Sequence, residues 1–193
     1  MREYLFHGKR VDNGEWVEGY LNYNKPRNQY YIMDDVNAFP IPVYDESVGQ
    51  CTGFDEWMLD DTSRDAKLYE GDIVEVWLNR QIYGQTWSQY DGPVKFRGVI
   101  VFKFGEWRVD FKNKHNEVIC KARGKEENDR NIPCGQSLYN LCFHCYDKDR
   151  EEYRKQRLEL RERCKKWGTD GNFIYDDIVK IGNVFENADL LEE

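Results

Sequence analysis

Six cysteines and three histidines are the side chains of this 193-residue chain best suited to chemistry. Four of the cysteines, Cys120, Cys134, Cys142 and Cys145, lie close in sequence, and the last two frame the run Cys142-Phe143-His144-Cys145. A Cys-x-x-Cys pair offers two thiolates at a spacing suited to one tetrahedral Zn²⁺. Cys134 would be the third ligand, and Cys120 is a better fourth than His144 or Cys164. Cys164 follows on a predicted helix, about five turns beyond Cys145. The second Cys-x-x-Cys of a zinc ribbon is missing, however, and Cys51 shows cysteine serving as strand filler in the same chain. Buried free thiols are therefore preferred to structural zinc, and no cofactor is expected. A redox pair would lack a thioredoxin-like setting.

Other reactive constellations are weaker. His7, His115 and His144 are scattered, with no His-x-His or His-Glu-x-x-His pair. A cysteine and a histidine could still meet in space as nucleophile and base, but with these numbers a chance meeting is as good an explanation. Neither a phosphate-cradling Gly-Lys-Ser/Thr loop nor a Gly-x-Ser-x-Gly elbow is present. Adjacent acids occur at Asp34-Asp35, Asp60-Asp61, Glu126-Glu127 and Asp176-Asp177. Such pairs can hold Mg²⁺ or share acid–base work. Here they fall in polar, turn-like stretches, which reads as solvated turns. No catalytic residue is assigned.

The elements that must position these residues are mostly strands. Aromatics make up 15% of the chain, and aromatic side chains fit a pleated, half-buried surface. Residues 4–8 and 16–21 alternate in polarity around Asp12-Asn13-Gly14, predicting a hairpin. Gln29–Met33 reads as a third strand. Pro40 and Pro42 mark an edge or an extended connection, because proline cannot donate to a ladder. Val43–Gly53 is expected to be extended. Gly71-Asp72 introduces Ile73–Leu78. Val94–Phe104 is the longest strand candidate and turns at Gly105 into the alternating Trp107–Phe111. The last strand is expected between Ile174 and Phe185.

One helix is predicted over Asp147–Lys166, rich in helix formers and stopped at Gly168. Tyr146, Tyr153, Leu160 and Trp167 recur every seven residues along it, giving a narrow apolar stripe. The segment 147–166 holds nine bases and six acids, while the whole chain carries −8. It reads as a solvated helix docked on the sheet domain or on a second copy, in which case the protein is a homo-oligomer. Its i,i+4 pairs Glu159-Arg163 and Glu162-Lys166 would neutralise much of its charge. The organisation expected is a single domain, 1–193, mainly β and barrel-like, with helix-bearing material inserted at about 120–170 before the last strand.

Five blocks, in consistent order, resemble the YopX family of phage and prophage proteins. They are Phe6-His7-Gly8-Lys9; Gly14-Glu15-Trp16-Val17-Glu18-Gly19-Tyr20; Ser47 to Gly53; Leu68-Tyr69-Glu70-Gly71-Asp72-Ile73-Val74; and Ile181-Gly182-Asn183-Val184-Phe185-Glu186-Asn187 with Leu190-Leu191. His7 stands where the family has Arg, and Cys51 where it has an aromatic. The stretch 120–167 departs from the family pattern. The resemblance implies a β-rich, barrel-like fold, a phage or prophage origin and a bacterial cytoplasm, and it transfers no activity. Within the blocks, Trp16, Tyr20, Tyr69 and Phe185 are expected in the core, and Asn183 and Asn187 are expected to bond backbone at a strand end.

Global acidity argues against a generic nucleic-acid binder. The N-terminal residues lack the apolar run of a signal peptide, and no run is long enough to span a bilayer. The cysteines of a cytoplasmic protein would then be thiols or metal ligands. The function expected is a non-enzymatic phage accessory protein that binds a phage or host protein, with no membrane partner. The alternative is a nucleic-acid-binding small β-barrel, motivated by the aromatics of 79–93 and the basic helix.

Overall fold

The computed structural model describes residues 4–34, 39–56, 66–79, 93–117, 136–138, 155–156, 158–159, 162 and 178–192, without the side chains of 77–79, 93–94 and 136. Most of these residues are in strands. In chain order they are β1 (Phe6–Lys9), β2 (Trp16–Asn24), β3 (Gln29–Met33), β4 (Ile41–Pro42), β5 (Gly49–Asp55), β6 (Lys67–Tyr69), β7 (Asp72–Asn79), β8 (Pro93–Lys103), β9 (Glu106–Asp110), β10 (Gln136–Ser137) and β11 (Ile178–Asn183). Residues 114–117 make one helical turn, and the described positions between 155 and 162 are helical.

The protein is mainly β. Its strands form two antiparallel sheets, ordered β4-β3-β2-β1-β5-β6 and β10-β9-β8-β7-β11. Among the described residues neither sheet closes on itself, so the barrel-like expectation resolves into two open sheets. Their edges are managed without closure. Strands β4, β6 and β10 are two or three residues long, and Pro42 lies on one edge. On the β11 edge, the Lys180 backbone N–H donates to the buried carboxylate of Glu56 at 2.5 Å.

The chain passes from one sheet to the other through the Glu70-Gly71 turn between β6 and β7. Gly71 has φ +84°, a conformation that costs a side-chain-bearing residue energy. Its N–H donates to Ile100 and its carbonyl accepts from Val184, both at 2.9 Å, so the turn is tied to β8 and to the chain after β11. One apolar cluster joins the sheets: Phe54 and Leu68 from the first pack with Val74, Val76, Phe96, Ile100, Val109 and Ile178 from the second, together with Phe111 and Leu138. A smaller buried group, Ile32, Ile41 and Val43, lies under the curl of β1–β4.

The expected hairpins are present. β1 pairs β2 with Phe6 opposite Gly19 and Lys9 opposite Trp16. β8 pairs β9 through Phe104-Gly105, where both residues have positive φ. Two expectations shift. Val43–Gly53 is not continuously extended, because a 3₁₀ turn over Asp45–Ser47 precedes β5. Residues 67–69 are a separate edge strand rather than a lead into β7. The last strand is described from Ile178, so its predicted start at Ile174 lies outside the described residues.

Candidate functional site

A cluster of polar and aromatic side chains lies where the chain after β11 meets the first sheet. This segment, residues 184–192, is termed the strap. It leaves β11 at Asn183 and ends in a 3₁₀ turn over Ala188–Leu191. Asn183 and Asn187 shape its departure: Asn183 Oδ1 accepts from the Phe185 N–H at 2.9 Å, and Asn187 Oδ1 accepts from the Asn183 N–H at 3.3 Å. Both therefore bond backbone at the strand end, as the sequence led one to expect.

His7 is at the centre of the cluster. The β1 register places it opposite Glu18 and Gly49. Its ring stacks on Tyr69 with centroids 4.0 Å apart and a 10° tilt, and the Trp16 ring lies 4.6 Å away at a 39° tilt. The residue is only 6% exposed and its Nε2 has no hydrogen-bond partner among the described residues. Burial, with a smaller push from the Lys180 ammonium, lowers its pKa from 6.5 to about 3. The imidazole is thus neutral, because charging it would place an unsolvated cation beside another cation.

Carboxylates flank the rings. Glu18 accepts from the Tyr69 hydroxyl and from Lys67 Nζ. Glu186, on the strap, accepts from Lys9 Nζ with one oxygen and from Trp16 Nε1 at 3.2 Å with the other. The hydrogen bond from Lys9 holds its carboxyl below the usual range. Phe185, beside Glu186, stacks on Tyr44 at 6.0 Å and has Lys9 Nζ 6.0 Å from its centroid.

Behind this cluster, Asp72 is fully buried at the start of β7. It accepts from the Tyr69 N–H at 2.9 Å, from Lys180 Nζ at 2.8 Å and from Asn183 Nδ2 at 3.2 Å. Burial pushes its carboxyl above the ordinary value, and Lys180 and Asn183 oppose that only in part. On the second sheet, Arg97 donates from Nε to Glu75 at 3.1 Å and from Nη1 to the Leu190 carbonyl of the strap at 3.0 Å. Asn116, also fully buried, brackets the Arg97 backbone: its Oδ1 accepts from the N–H and its Nδ2 donates to the carbonyl.

The zinc candidates Cys120, Cys134, Cys142 and Cys145 lie outside the described residues, as do Cys164 and His144. So do Asp60-Asp61, Glu126-Glu127 and Asp176-Asp177. Among the described residues no three metal-ligating side chains converge. Cys51 is a half-buried thiol in β5, and burial raises its pKa. Of the aromatics expected in the core, Tyr69 is buried, but Trp16 and Tyr20 are 37% and 48% exposed. They share the outward face of β2 with Glu18, on which the strap lies. The buried polar residues Asp72, Glu56 and Asn116 went unrecognised in sequence. Asp72 alone carried a signal, an acid placed between Gly71 and an apolar run.

Compared with models of known families, with curated proteins and with solved structures, the chain matches none.

Proposed function

We propose that the protein is a non-enzymatic binding or interaction module, a phage or prophage accessory protein of the YopX type acting in the bacterial cytoplasm. The five ordered blocks support the family. One observation carries the binding role: large apolar side chains are held in water by well-formed strands and turns. Phe104 is 92% exposed, Phe39 81%, Phe102 54% and Tyr20 48%. Phe102 and Phe104 lie together at the β8–β9 hairpin, and neighbouring exposed apolar groups mark surfaces that serve association. Apart from His7 Nε2, the polar groups named in the cluster meanwhile bond to one another, which suits a joint better than a reaction centre. Among the described residues no helix is long and apolar enough to cross a membrane.

Affinity capture from a bacterial lysate with the tagged protein tests this reading. A stoichiometric protein partner whose recovery falls with Phe104→Ser is expected. Failure to recover any partner, together with metabolite turnover by the purified protein, would overturn it.

A second reading, binding to nucleic acid, rests on residues 93–117. This stretch holds six Lys and Arg against three acids in a chain that is acidic overall. It predicts binding that weakens steeply with salt, and the absence of any signal in a low-salt titration would end it.

A further inference from the structure

The strap has a charge pattern unlike the surface that receives it. Residues 184–192 contain three acids, Glu186, Asp189 and Glu192, and no Lys or Arg. The side chains that hold it are cations from elements far apart in sequence: Lys9 of β1 on Glu186, Arg97 of β8 on the Leu190 carbonyl, and Lys114, just beyond β9, on Glu192. Lysine and arginine are also the donors that hold phosphate oxygens in nucleic-acid complexes. An aromatic ring precedes the first anion. Phe185 stacks on Tyr44, which stays 40% exposed with the strap in place, while Glu186 takes the Lys9 ammonium and the Trp16 N–H. Adjacent residues therefore present a stacked ring and then an anion, the order in which a nucleotide presents its base and phosphate to an aromatic platform.

The attachment is loosest at its far end, since the Lys9 and Glu186 side chains near β11 are only 25% and 33% exposed. The Lys114 and Glu192 side chains are 68% and 59% exposed, so their attraction is weak and screened by salt. Beyond its bonds to Asn183 and within itself, the strap makes one backbone hydrogen bond to the described body, from Val184 to Gly71.

We propose that the strap is an autoinhibitory cover, occupying with its own ring and carboxylates a cationic, aromatic surface that takes single-stranded nucleic acid when the strap lifts. The inference rests on the nucleic-acid reading above and adds its regulation. It gives a reason for the cations Lys9 and Lys114 to meet carboxylates of the chain's own strap, while Arg97 also serves Glu75.

The test uses the full chain and a fluorescent oligothymidylate at low salt. Glu186→Gln with Glu192→Gln loosens the strap, while Glu159→Gln with Glu162→Gln changes the net charge equally at exposed helical positions. The strap variant should bind about tenfold more tightly than the native chain, the charge control should hardly change, and adding Lys9→Gln and Lys114→Gln should abolish the gain. Equal shifts in the strap variant and the control would overturn the cover. So would the absence of binding in every variant, which would leave the protein-partner reading standing. A second measurement needs no variant: excess oligothymidylate added to the native chain should speed hydrogen exchange at Glu186, Leu190 and Glu192 while the β7–β8 amides stay protected. Unchanged exchange in the strap under saturating oligothymidylate would also sink the proposal.

Discussion

At the scale of single residues, the described chemistry of this protein is dominated by burial. His7 has a folded pKa of about 3 against 6.5 when exposed. Between those values the unfolded chain binds a proton that the folded chain refuses, so stability falls as pH drops from 6.5 toward 3. The full effect is on the order of 3–5 kcal/mol. Urea denaturation across this range should show a shallower acid slope for His7→Phe, which keeps the stacking and removes the proton site. Asp72 behaves oppositely. Its raised folded pKa means that ionising it costs stability as pH rises through the ordinary carboxylate range. Its three donors nonetheless need an acceptor. Asp72→Ala, which strands the Tyr69 N–H and the Lys180 ammonium, should cost about 3 kcal/mol in urea denaturation, and Asp72→Asn clearly less.

At the scale of elements, close approach and turn geometry decide which positions tolerate change. A Cβ on Gly49 would lie 2.3 Å from the Glu70 carbonyl and 2.7 Å from His7 Nε2, between β5 and the turn into the second sheet. Gly49→Ala should therefore destabilise by about 3 kcal/mol, on the scale of an overpacked core. The β8–β9 turn gives the opposite expectation. Phe104 sits there at φ +59°, where a side chain other than Asn, Asp or Gly is strained, and it is almost wholly exposed. Phe104→Asn should raise the melting temperature by an amount equivalent to about 1 kcal/mol. If the same substitution weakened partner capture, the strain would be explained by retention of an exposed ring for binding.

At the scale of the whole molecule, the two sheets share one apolar cluster, so they are expected to unfold together. Leu68 belongs to the first sheet but is fully buried against residues of the second. Leu68→Ala should cost about 3 kcal/mol and lower hydrogen-exchange protection in both sheets by the same amount. Loss confined to β5 and β6 would mean that the sheets are independent units. The Glu56–Lys180 bond and the strap add polar ties across the same boundary.

Periodicity and turn chemistry made most strands legible. Gln29–Met33 was marked by its composition, the β1–β2 hairpin by Asp12-Asn13-Gly14, and the β8–β9 hairpin by a glycine between alternating runs. These are local signals, encoded in consecutive residues. The short strands β6 and β10 left too little pattern to read, because two or three residues do not establish a period. The ordered blocks likewise suggested that the two ends of the chain belong to one scaffold, and β11 does pair with β7. Only tertiary structure decided which aromatics are covered: Tyr69 and Trp16 have similar chemistry in sequence, yet one lies beneath the His7 ring and the other faces outward. It also decided which charges are buried, and that a strap remote in sequence would seat its carboxylates on Lys9 and Lys114. Burial and pairing depend on which segments meet in space, and residues 78 or 177 positions apart carry no local trace of one another.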